Sequence, residues 1–114
     1  MKRGKIENVL NKIGMSHSYE GYNYIVEESL LIFELYDMHK KIILNELNRD
    51  VANMFSTSTC SIERAIRTCI DGTFLHGNIG LLNQIFEYYA SYYDSRPSNK
   101  LFLTTIVNYL NTIE

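Results

Sequence analysis

One proline, Pro97, and six glycines are the only strong backbone breakers in 114 residues. So few of them cannot supply the frequent turns of a small β-sandwich or barrel, and the long stretches between them favour helices. Cysteine is equally scarce: Cys60 and Cys69 alone. On one helix, nine residues apart, they would sit roughly 180° round the axis and about 13 Å along it, too far to bridge. Reduced thiols in a cytoplasmic protein are the simple expectation. His17, His39 and His76 are scattered, and no Cys/His quartet exists, so neither a zinc site nor any other metal or cofactor is expected. There is no uncharged apolar run long enough to span a bilayer. The basic N-terminus has no apolar stretch behind it, as a secretory signal would. Charge of one sign is not in excess either. Eleven Lys and Arg against thirteen Asp and Glu leave a net charge of −2, which excludes a non-specific nucleic-acid coat but not a local basic patch. No Gly-rich phosphate loop, HExxH, paired-Cys motif or GxSxG occurs, and no enzyme is expected.

What is present is apolar residue in helical spacing. At 46% hydrophobic and 21% charged, the chain can bury one core, and residues 1–114 are expected to form a single all-α domain of six helices. The first helix is expected over 5–13, ending at Gly14, with 1–12 a basic segment carrying Lys2, Arg3, Lys5 and Lys12. The second covers 22–38 and is apolar on more than one face, which makes it the central helix. The third covers 42–54. After the turn "FSTST", Ser58 caps a fourth helix running to Leu75. Gly77 and Asn78 break it, a fifth helix runs over 79–93, and Ser98 or Asn99 caps a last one through Leu110. On the fifth helix Tyr88, Tyr89, Tyr92 and Tyr93 form doublets suited to a core rim or an interface. Residues 42–75 thus read as a helix-turn-helix.

The fourth helix carries the chemistry. At 100° per residue, Ile62, Ala65, Ile66, Cys69, Ile70 and Thr73 fall in one wedge, the stripe of a helix pressed on a core. Cys60, Arg64, Arg67, Thr68 and Asp71 lie opposite, flanked by Ser61 and Glu63. A helix entering the major groove needs this division. Arginine can give two parallel donors to guanine O6 and N7 or clamp a phosphate, and Glu63 can accept from cytosine N4. The hydroxyls of Ser56, Thr57, Ser58 and Thr59 and the first amides of the helix suit a backbone phosphate. Lys2, Arg3 and Lys5 suit a flexible arm adding electrostatic affinity. The same residues also suit a plain solvated face, with Glu63 and Arg67 as an i, i+4 pair.

"IGMSHSYEGYNYIVEESLLIF", "STCSIERAIRTCIDGTFLHGNI" and "RPSNKLFL" follow one another at a spacing that resembles the C-terminal effector domain of the stage-zero sporulation response regulators of spore-forming Firmicutes. The resemblance runs from Ile13 to Leu110, and "ERAIR" followed by "GNI" is its most specific part. It implies a six-helix domain that binds short promoter boxes in double-stranded DNA, as a homodimer or two copies head to tail. The full-length regulator or RNA polymerase is a further expected protein partner. Glu63, Arg64 and Arg67 match recognition-helix positions, and Ser58, Thr59, Ser61 and Thr68 lie beside them. Arg96 and Asn99 match the loop before the last helix, and Lys100 adjoins it, where backbone contacts are expected. Ser61 stands where the family carries an arginine, which implies a missing base or phosphate contact. The family's receiver domain is not expected here, because Met1 is about a dozen residues before the match. A protein–protein regulator that keeps the fold with little DNA affinity is the rival expectation.

Overall fold

The computed structural model describes residues 1–86 and 96–113. The tyrosine doublets and the end of the expected fifth helix lie outside the described residues. Six helices are described: α1 (Lys2–Lys12), α2 (Glu20–Asp37), α3 (Leu44–Met54), α4 (Thr59–His76), α5 (Ile79–Phe86) and α6 (Asn99–Ile113). The all-α expectation matches. None of them is long and apolar enough to cross a membrane.

The dense apolar content of α2 explains its place. It packs against α1, α3, α4 and α6, and buries Tyr22, Ile25, Val26, Ile32 and Phe33. The stripe of α4 lies against it: Ile62, Ile66, Cys69 and Ile70 are all fully buried. Gly21 lets the two backbones approach. A methyl group there would meet the Ala65 carbonyl carbon and Cys69 Cβ at 2.8 Å. On the far side of α2, Glu28 is fully buried as well. The Asn48 amide of α3, with its nitrogen toward the carboxyl, sits 2.6 Å from Glu28 Oε2. Desolvation pushes this carboxyl up to about 8.

Most helix ends follow their punctuation. Gly14, at φ +88°, closes α1 in a Schellman turn: its amide donates to the Asn11 carbonyl (3.1 Å), and Met15 N–H donates to Leu10 (3.0 Å). Gly77 lies against Gly14, its Cα 2.8 Å from where a Gly14 side chain would begin, and the next amide, Asn78, donates to the Ile13 carbonyl at 2.9 Å. Asn78 Oδ1 then accepts from Leu81 N–H (3.1 Å) to cap α5. The "GNI" triplet is therefore a close contact followed by a cap. Ser98 Oγ caps α6 through Leu101 N–H (3.1 Å).

Other expectations need correction. α2 ends at Asp37 because His39, at φ 55°, takes the left-handed position and Lys40 N–H donates to Leu35 (2.8 Å). α3 starts at Leu44, since Ile43 is extended. The flexible basic arm is not an arm: α1 begins at Lys2, Lys2 pairs with Asp37 (3.2 Å), and Arg3 pairs with Glu27 (2.7 Å).

Candidate nucleic-acid interface

Helices α3 and α4 are joined by residues 55–58, a short connection made by Ser56 in the left-handed region (φ 53°) and by Thr57 N–H closing on Ala52 (3.0 Å). Ser58 then turns the chain into α4. Its Oγ accepts from Ser61 N–H at 3.1 Å and donates to Ser61 Oγ at 2.9 Å. The Ser61 hydroxyl thereby accepts one bond and keeps its own O–H free to donate. Ser58→Ala removes this cap, and a loss of about 1 kcal/mol is expected by urea denaturation. Unchanged stability would mean that water caps the helix as well as Ser58 does.

Beyond the cap, the outer face of α4 is open. Thr59, Cys60, Ser61, Glu63, Arg64 and Thr68 are all exposed, so no part of the described chain covers them. Arg64 sits where two shallow clefts meet, one running toward Tyr19 and Glu20, the other toward Leu44, Ser98 and Asn99. Among the described residues its guanidinium makes no hydrogen bond or ion pair. It is a cation held on a rigid rod with its donors turned to solvent.

Arg67, one turn further on, is in a different state. Its Nε and Nη2 donate to Asp71 Oδ1 at 3.2 and 2.9 Å. Its Nη1 donates to the Pro97 carbonyl at 2.9 Å and lies 3.4 Å from Asn99 Oδ1. The expected Glu63–Arg67 pair is replaced by Arg67–Asp71, on the other side of the same arginine. Asn99 is 7% exposed, and its Nδ2 donates to the Glu63 carbonyl at 3.1 Å. Asn99 is thus turned inward onto α4. The loop at 96–98 is brought against α4, with Arg96 half-buried and Lys100 exposed just beyond it.

The structure therefore gathers Ser58, Thr59, Ser61, Glu63, Arg64 and Thr68 on one open surface. Arg67 and Asn99 join α4 to the last helix. Asp71 is the residue whose part sequence reasoning missed. Its signal was present, an acid four residues after Arg67, but Glu63 stands four residues before it and the spacing alone cannot choose. Among the described residues no group of three His, Cys, Asp or Glu could hold a metal ion. A model of the family described as "Sporulation initiation factor Spo0A C terminal" matches residues 6–110 of the chain.

Proposed function

The chain belongs to the Spo0A C-terminal family, a family of DNA-binding effector domains and not of enzymes, and from that premise we propose that it is a sequence-specific transcription factor acting in the cytoplasm. The observation that carries the reading is the open face of α4, held by a fully buried aliphatic stripe, with Arg64 unpaired among the described residues. In this reading α4 enters the major groove and Arg64 reads a guanine through O6 and N7. Glu63 accepts from a cytosine amino group, and it repels phosphate, so it adds discrimination and not affinity. Thr59, Ser61 and Thr68 reach base edges or the backbone. Arg96, Lys100 and the first amides of α4 hold phosphates. Two copies occupy repeated boxes.

Cys60 offers a direct test, because it lies on the open face while Cys69 is buried and its thiol is pushed up to about 12 by desolvation. A thiol reagent is expected to label Cys60 first, and a duplex selected from a randomised library by this protein is expected to slow that labelling. Arg64→Ala is expected to weaken binding by roughly 1–3 kcal/mol and to relax preference at one base pair. Unslowed labelling at a saturating duplex concentration would remove α4 from the groove. The rival reading, a regulator working through protein contacts, is favoured by Ser61 at the family's arginine position and by the net charge of −2. It predicts no saturable duplex binding even at low salt, together with a stable complex with the full-length regulator.

A further inference from the structure

A guanidinium has five N–H donors, and two-point recognition of guanine needs a pair of them free and parallel. On Arg67 the edge formed by Nε and Nη2 is taken by Asp71 Oδ1. The edge formed by Nη1 and Nη2 is broken, because Nη1 serves Pro97 O and Asn99 Oδ1. One Nη2 hydrogen remains, enough for a single contact but not for two. We propose that Arg67 is a positioning residue: with Asp71 and Asn99 it clamps the loop before α6 to the recognition helix, leaving Arg64 as the arginine that reads a base.

The clamp closes on both sides of α4. Asp71 fixes the guanidinium from the same helix, one turn on. The guanidinium reaches across to a backbone carbonyl thirty residues away in sequence. Asn99 returns to the helix by donating to the Glu63 carbonyl. Glu63 and Arg64, on the reading face, thus lie beside a backbone held by the same network that holds Ser98 and Lys100. Ser98 and Asn99 line the cleft shared with Cys60, Glu63 and Arg64, so the clamp sets how far the last helix stands from the duplex. A lysine at 67 keeps the charge but has no planar fork to bind an acid and a carbonyl at once.

This inference rests on the DNA-binding reading, and the test separates the two. Wild type, Arg64→Ala and Arg67→Lys are titrated against a duplex selected by the wild-type protein and against its single-base variants, at several salt concentrations. Amide exchange is followed at residues 96–101 for these proteins and for Asp71→Asn. Arg64→Ala is expected to lose discrimination at one base pair. Arg67→Lys is expected to weaken binding to every duplex by a similar factor, roughly five- to fiftyfold, with base preference intact. Although no charge is lost, its salt slope is expected to become shallower by about one, because released loop contacts to phosphate no longer displace counterions. Exchange at 96–101 is expected to quicken in both Arg67→Lys and Asp71→Asn at temperatures where both remain folded. Loss of discrimination at a single base pair by Arg67→Lys, with exchange unchanged, would overturn the proposal and make Arg67 a reader. If the wild type binds no duplex, the DNA-binding reading falls; faster exchange in the two variants would still uphold the clamp, and unchanged exchange would overturn it too.

Discussion

Glu28→Gln is expected to abolish a loss of stability that the wild-type protein suffers between about pH 4.5 and 8. Glu28 is fully buried between α2 and α3, with the Asn48 amide beside it and no cation among its described contacts. Burial makes its charged form costly, so the folded protein keeps the proton up to about pH 8. Below the ordinary carboxylate value both folded and unfolded chains are protonated, and nothing is lost. As pH rises, the unfolded chain releases its proton first. Stability present in acid is then lost progressively until the folded carboxyl also ionises. At about 1.4 kcal/mol per pH unit, the whole window is worth at most about 5 kcal/mol. Glutamine has nearly the same shape, can still accept from Asn48 and cannot ionise. Urea midpoints across this range should fall steeply for the wild type and much less for the variant, which should be the more stable protein at the alkaline end. Parallel curves would mean that Glu28 ionises normally and that the Asn48 amide, with water, supports its charge.

Gly21→Ala is the second large effect. The added methyl would press on the Ala65 carbonyl and on Cys69 Cβ, and the backbone atom cannot move aside without shifting α4. A gain in helix propensity of up to about 1 kcal/mol opposes this. Overpacking of a tight site costs roughly 1–3 kcal/mol or more, and here a backbone oxygen takes the clash, so a net loss of about 2 kcal/mol is expected. For a chain of this length that is a fall of roughly 8 °C in melting temperature. Because the shift falls on α4, the helix proposed to enter the groove, duplex affinity should drop even where the variant is fully folded. A variant that melts normally would show that α2 and α4 can separate at this crossing with little cost.

Both effects arise where packing between helices adds to what local sequence signals. The all-α class, the central place of α2 and the buried stripe of α4 were legible because each rests on local periodicity. Ser58, Gly14, Asn78 and Ser98 were legible as punctuation, since a cap or a left-handed turn acts within a few residues. What was hidden depends on distant partners. Arg67 looks like any exposed arginine until Pro97 and Asn99, some thirty residues on, arrive beside it. Glu28 is one acid among several on α2, and only the packing of α3 over it takes it out of water. Lys2 and Arg3 resemble a loose tail because Asp37 and Glu27, their partners, lie on another helix. His39 ends α2 in a conformation that glycine usually supplies, so no residue type announced the stop.

The two ends of α1 are fastened by different means. At its rear, Asn78 N–H grips the Ile13 carbonyl beside the paired glycines, a backbone joint that ions in solution barely touch. At its front the fastenings are ion pairs, Lys2–Asp37 with half or more of each side chain in water and Arg3–Glu27 partly so, attachments that dissolved ions weaken more readily. The first helix should therefore peel from its leading turn while its trailing end stays anchored to the foot of α4. Fraying at the margin of the molecule then leaves the outer face of α4 undisturbed.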